Sequence, residues 1–290
     1  MAAAQQLPGP QDLTDEQREA VEMLLYRLAD DEFVIAERYT EWQVRAPTIE
    51  SDLSVANIAQ DELGHARLWY DLLEDFGYEE PDLIWEREAG DWRHSTLCEL
   101  PFGEGDWADF VVRSYLYDEA EFVRVKALEG SSYPRLADRV EKVLAEERYH
   151  REHARSWLER LCEDDDSRAR VQDAVDRLLP YALTLFSPTD EEIEARIDEL
   201  GLRTENLLSM REAWLDEVVP TLESAGLHVE EAELPEQYDV HHVDFDLPDE
   251  TGRDQSHTDY WFDLFDEFTK SYRELGRHSA MKIMKDPDDE

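Results

Sequence analysis

Two short motifs, Glu62-x-x-His65 and Glu147-x-x-His150, each set a carboxylate and an imidazole three residues apart. On an α-helix that step returns the chain to within about 60° of its starting direction, so both groups share one face. One such pair arises by chance in an acid-rich chain, but two pairs prompt a search for partners. Glu32 lies 30 residues before Glu62, and Asp118 lies 29 before Glu147. The halves are offset by 86 positions for the single acids and 85 for the pairs, a pseudo-twofold repeat. Four carboxylates and two neutral imidazoles carry four negative charges, which balance two divalent ions. Oxygen with some nitrogen suits Fe(II) or Mn(II), and the lack of cysteine in the set argues against an iron–sulfur centre.

These groups can act together only if helices turn them inward. Thr14 and Gln17 form a capping-box start, after which Leu25, Leu28, Ile35, Tyr39 and Trp42 recur at three- and four-residue steps. The spacing predicts a helix ending near Ala46-Pro47. A second helix is expected from about Asp52 to Phe76, with Val55, Ile58, Trp69 and Leu72 on its stripe and Gly77 as its stop. A third, about Asp106 to Glu129, carries Val111, Tyr115, Phe122 and Val125. The fourth begins at Pro134, and its stripe runs through Leu136, Val140, Val143, Ala154, Trp157 and Leu161. Each stripe has a gap, and Glu32, Glu62 with His65, Asp118, and Glu147 with His150 fill the four gaps. An ionised carboxylate in a core costs several kcal/mol unless paired or bound to a cation. No Lys or Arg occupies a matching stripe position, so a metal is the expected partner.

Glu37 and Glu121 offer rival acids with similar spacing. In an antiparallel hairpin, residues at one height lie equally far from the turn. The midpoint of 32 and 62 is 47, at Pro47 in the expected turn, and that of 118 and 147 is 132.5, between Gly130 and Pro134. The rivals give 49.5 and 134. Glu37 also sits about 7.5 Å along the helix from Glu32 and about 140° round it. Glu32 and Asp118 are therefore favoured, with Glu121 as an alternative ligand or as a group touching one. The pattern is that of a ferritin-like di-iron bundle, in which each of two helices gives a Glu and each of the other two a Glu-x-x-His.

Residues 78–105 lack periodicity and read as a structured loop. Helical patterns recur at 167–186, 203–224 and 256–278, and no strand is evident. Pro220 is expected to kink or end its helix. The stretch from Glu230 to Asp254, acidic and containing Pro235, Pro248 and His241-His242, reads as a surface excursion. His153 is placed at the edge of the core face. The expected architecture is all-α: a single ferritin-like domain over 1–290, its four-helix bundle at about 14–163 and a helical extension at about 164–290.

Composition bounds the function. The chain of 290 residues holds 73 acidic and 29 basic side chains, a formal charge of −44. Such a surface repels nucleic acid and anionic lipid. With 41% hydrophobic residues and eight Trp it can still bury a large core. Only five of the basic residues are Lys, and the acids are spread along the chain, which fits solubility in high salt and a halophilic cytoplasm. An acidic partner-binding face is the other explanation. Cys98 and Cys162 form no disulfide framework, and neither a signal peptide nor a membrane span is evident, so a cytoplasmic location is expected. No phosphate loop, nucleotide fingerprint or Ser-His-Asp arrangement is present. An oxidoreductase of this kind needs electrons from elsewhere.

Glu41-Trp42, Arg45-Ala46-Pro47-Thr48, Ala56-Asn57-Ile58 and Gln60-Asp61-Glu62-Leu63-Gly64-His65-Ala66-Arg67 resemble the phenylacetyl-CoA ring epoxidase family. So do Tyr115-Leu116-Tyr117-Asp118, Glu146-Glu147-Arg148-Tyr149-His150 and Ser156-Trp157-Leu158-Glu159-Arg160-Leu161. The likeness spans about residues 20–224, with a weaker echo at His257 to Gly276. It implies a monooxygenase complex that adds one atom of O2 to the ring of phenylacetyl-CoA or a related aromatic acyl-CoA. Such a complex joins a separate reductase to two paralogous subunits, one di-iron and catalytic, the other structural. Residue by residue, the resemblance implies metal ligands at Glu32, Glu62, His65, Asp118, Glu147 and His150. The Trp-Leu-Glu-Arg-Leu run is more like the structural paralogue, and Ile58 stands where the catalytic paralogues carry Lys. Three roles remain open: the catalytic one, that of a structural partner keeping a relic metal site, and that of a ferritin-like ferroxidase.

Overall fold

The computed structural model describes residues 6–102, 106–229 and 248–275. Helix α1, Asp15–Thr40, starts at the expected capping box, with Thr14 Oγ1 accepting from Gln17 N and Gln17 Oε1 accepting from Thr14 N. It ends six residues before Ala46. From there Gln43 N donates to Thr40 O and Arg45 N to Trp42 O, so a tighter three-residue spiral carries the chain to the bend at 46–48. Thr48 caps α2, Ile49–Glu74, by accepting from Ser51 N. Gly77 adopts φ +95°, the left-handed turn that glycine enters at no steric cost.

The loop that follows is built from short turns. A π-type turn at Pro81–Trp85 and a 3-10 turn at Ala89–Asp91 lead into a one-turn helix α3, Thr96–Glu99. Asp106 caps α4, Trp107–Lys126, and Pro134 opens α5, Pro134–Cys162. α1 packs along α2 and α4 along α5, and the two hairpins meet where α2 crosses α5. Trp69, Tyr115 and Leu136 are among the side chains sealed inside.

Four more helices complete the described chain: α6 (Asp165–Leu183), α7 (Glu191–Leu200), α8 (Leu207–Ser224) and α9 (Asp259–Leu275). α6 and α8 lie on α4, and α7 lies on α1. Among the described residues there is no strand, and the architecture is a ferritin-like four-helix bundle with additional C-terminal helices.

Three expectations need correction. α7 went unforeseen because most of its ten residues are polar; Asp190, capping Glu192 N and Ile193 N, and Gly201 at φ +67° define it instead. Pro220 does not end α8, which runs on to Ser224. Proline removes one helical hydrogen bond, but buried Val218 and Leu222 flank it, and Trp214 Nε1 donates 3.1 Å to Leu116 O, so packing holds the helix through it. The acidic excursion lies mostly outside the described residues, including Pro235 and His241-His242, yet its end is core. Arg253 is 1% exposed and grips Asp31 of α1, because a desolvated guanidinium needs a carboxylate beside it.

Candidate metal centre

Where the four long helices face one another, Glu32, Glu62, His65, Asp118, Glu147 and His150 are all fully buried. Glu32, Glu62 and His65 form one tight group and Glu62, Glu147 and His150 another, so Glu62 belongs to both. Asp118 belongs to neither group, although it is buried near Glu147 and His150. Glu37 sits elsewhere: it is half-buried and faces Glu267 of α9. Glu121 is fully buried beside Glu32.

Hydrogen bonding fixes how the imidazoles are used. His65 Nε2 lies 2.9 Å from Glu146 Oε2, and His150 Nε2 lies 3.4 Å from Asp61 Oδ2. Each of these acids directly precedes the Glu of the opposite motif, so the arrangement repeats across the pseudo-twofold. A carboxylate can only accept, so His65 Nε2 carries a proton, and a neutral His65 ring turns its Nδ1 lone pair inward; His150 meets a carboxylate at each nitrogen, the shorter contact being Nδ1 to Glu147 Oε1. His65 Nδ1 then faces Glu62 Oε2 at 3.4 Å, Glu147 Oε1 at 3.5 Å and Glu32 Oε2 at 3.7 Å. His150 Nδ1 faces Glu147 Oε1 at 3.1 Å and Glu62 Oε1 at 3.5 Å. Lone pairs aimed at carboxylates repel unless a cation or a proton stands between them.

The carboxylates show the same deficit. Both oxygens of Glu32, Glu62 and Asp118, one of Glu147, and His65 Nδ1 have no hydrogen-bond partner. No Lys or Arg side chain pairs with any of the four acids among the described ion pairs. Burial, reinforced by Glu62 and Glu121, pushes Glu32 well above the usual carboxylate range; burial and Glu147 do the same to Asp118. Burial opposes charge on His65, but hydrogen bonding and charge from Glu62 outweigh it and lift the ring to about 9. His150 rises for the same reasons, with Glu147 foremost among the partners. The cluster by itself retains protons that a pair of divalent cations would displace. Its donor set of oxygens and two imidazole nitrogens fits hard or borderline divalent ions such as iron or manganese.

Asp61 and Glu146 escape sequence reasoning because their side chains are 37% and 32% exposed and sit off the apolar stripes. The signal was there in the acid preceding each motif Glu. A second buried trio, His94, Glu99 and His257, was also unforeseen. His94 Nε2 and His257 Nδ1 lie 2.7 and 2.9 Å from one oxygen of Glu99, whose other oxygen accepts from Thr258 N. Ligand atoms sharing a tetrahedral ion stand roughly 3.3 Å apart, given bonds of about 2.0–2.1 Å. The shorter separations are those of direct hydrogen bonds, and the trio is a clamp joining α3 to the segment before α9.

The chain matches the family model described as phenylacetic acid catabolic protein over residues 4–274. It is 33% identical to the C subunit of 1,2-phenylacetyl-CoA epoxidase from Escherichia coli (strain K12), over 206 residues covering 70% of this chain and 81% of that relative. It is 27% identical to the A subunit of the same enzyme from the same organism, over 196 residues covering 67% of this chain but only 63% of that relative. A solved structure, protein 19 with aldehyde deformylating oxidase activity from Synechococcus, shares 18% identity at a TM-score of 0.49, over 72% of this chain and 88% of that one. By the extent of the family match and by its identity to the epoxidase's C subunit, the chain belongs to the phenylacetic acid catabolic protein family.

Proposed function

We propose that this protein is the di-iron oxygenase component of a complex that also holds a paralogous helical subunit, with a separate reductase, and that its substrate is phenylacetyl-CoA or a related aromatic acyl-CoA. Glu32, Glu62, His65, Asp118, Glu147 and His150 would hold two iron ions, or manganese. The ions would supply the redox chemistry that lets O2 react with the aromatic ring. This chain's own contribution is positional. Glu146 and Asp61 orient the two imidazoles, the unpartnered carboxylates are free to attach to one ion or two, and the bundle interior keeps water from the reacting groups.

The observation that carries this reading is the fully buried set of four acids and two imidazoles, in which no acid has a cationic side chain as partner and His65 Nδ1 is unpaired while its Nε2 meets Glu146. A core that merely tolerated acids would pair them with Arg, as Asp31 is paired elsewhere in the same helix. One observation favours a structural-partner role instead: Ile58, fully buried one turn before Glu62, replaces the Lys expected of a catalytic paralogue. Reconstitution with the reductase and the paralogous partner, assayed by O2-dependent loss of phenylacetyl-CoA, separates the two. The catalytic role predicts that Glu62→Ala abolishes turnover while the complex still assembles. Turnover that survives Glu62→Ala but vanishes when the chain is left out would assign it the structural role.

A further inference from the structure

Among the described residues six arginines are buried, and four of the six, Arg27, Arg124, Arg203 and Arg253, line one small cavity. They arrive from α1, from α4, from the link between α7 and α8, and from the segment before α9. The rest of the lining is five leucines and Met210, with no carboxylate among the described residues. The cavity volume is about 20 Å³, against the roughly 10–15 Å³ that a single water requires. There is room for one small guest.

The acids that hold these arginines do not line the cavity. Glu194 accepts from Arg27 Nη1 and, at 2.6 Å, from Arg203 Nη2. Asp31 Oδ2 accepts from Arg124 Nη2 and from Arg253 Nη2, each at 2.6 Å. Each of these acids therefore joins two guanidiniums. Asp198, 2.9 Å from Arg203 Nη2, is 38% exposed, and Glu121, 3.3 Å from Arg124 Nη1, makes no hydrogen bond to it.

What remains is a set of unused donors. Arg27 Nε and Nη2, Arg124 Nη1 and Arg253 Nε are buried without a hydrogen-bond partner among the described residues. Four orphaned donors from three guanidiniums that line one cavity call for an acceptor. A water could accept from two of them, but its own protons would then meet side chains with no acceptor better than the Met210 thioether. A halide ion accepts from every side and donates nothing. Its charge also offsets the crowding of cations: burial pulls Arg27 down to about 10, and Arg203 and Arg253 add to that although Glu194 opposes it.

We propose that this cavity binds one halide ion, chloride under ordinary conditions, and that the ion fastens α1 and α4 to the C-terminal segments. The site is separate from the metal centre, none of whose six groups lines the cavity.

Thermal melting of the full chain at fixed potassium concentration and ionic strength, with gluconate replaced stepwise by chloride, tests it. Screening is then constant, so the response reports a bound ion. The wild type should gain several degrees along a saturating curve. Bromide should substitute for chloride, and sulfate, too large for the cavity, should not. Arg27→Lys keeps a positive charge beside Glu194 but removes both orphaned donors of that side chain; the chloride midpoint should rise by about tenfold or more. Arg253→Lys, which keeps a charge beside Asp31, gives the same readout if Arg27→Lys does not fold. Crystals of the wild type grown in bromide should show an anomalous scattering peak inside the cavity. A melting temperature indifferent to the anion, a wild-type chloride midpoint in the folded variant, or a cavity holding water in bromide-grown crystals would each overturn the inference and leave the di-metal reading untouched.

Discussion

At the scale of single residues, the sequence exposed the six inward groups because each interrupts an otherwise apolar stripe. Glu32 between Leu28 and Ile35, or His65 between Ile58 and Trp69, is visible without any structure. Asp61 and Glu146 were not visible, since a half-exposed acid on a helix looks like solvated surface until its partner on another helix is known. Their role makes a prediction. Glu146→Ala removes the acceptor that fixes the His65 tautomer, and divalent-metal affinity should drop by about 10- to 100-fold with little change in melting temperature. An affinity within twofold of wild type would contradict it. The same imidazole sets a pH dependence. Its pKa is lifted to about 9 in the metal-free cluster, and a proton on Nδ1 competes with a metal ion. Binding must expel that proton, so affinity for Co(II) should rise steadily between pH 6.5 and 8.5, and a flat profile would count against the inward-facing nitrogen.

At the scale of elements, hairpin geometry located the acids better than it located the helix ends. α1 stops at Thr40 rather than near Ala46, but the tight spiral to Arg45 still delivers Glu32 opposite Glu62. What periodicity could not show was any contact between distant parts of the chain. Asp31 and Arg253 are 222 positions apart, and nothing local marks either as buried. Their ion pair, shared with Arg124, ties the segment before α9 to α1. Removing one partner of a buried pair leaves the other charge uncompensated. Arg253→Met should therefore destabilise the protein by about 3–5 kcal/mol in a denaturant titration. A loss below about 1 kcal/mol would mean that Arg124 alone satisfies Asp31.

At the scale of the whole molecule, the charge of −44 and the metal centre are separate matters. The acids of the centre are fully buried, whereas most of the remainder faces solvent, where like charges repel over a Debye length of about 8–10 Å in ordinary buffer. We propose that the chain is one domain, since α6, α7 and α8 all rest on the bundle. Its melting temperature should rise as KCl is raised from about 0.1 to 2 M, where the Debye length shrinks to a few ångströms; no rise would remove salt adaptation as the reason for the acidity. The most direct test of the central claim is metal analysis of the protein after iron-replete expression, wild type beside Glu147→Ala. About two iron or manganese ions per chain in the wild type, with most of that lost in a folded variant, is the expected result. A wild type that purifies folded but free of metal, or a variant that keeps the wild-type content, would contradict it.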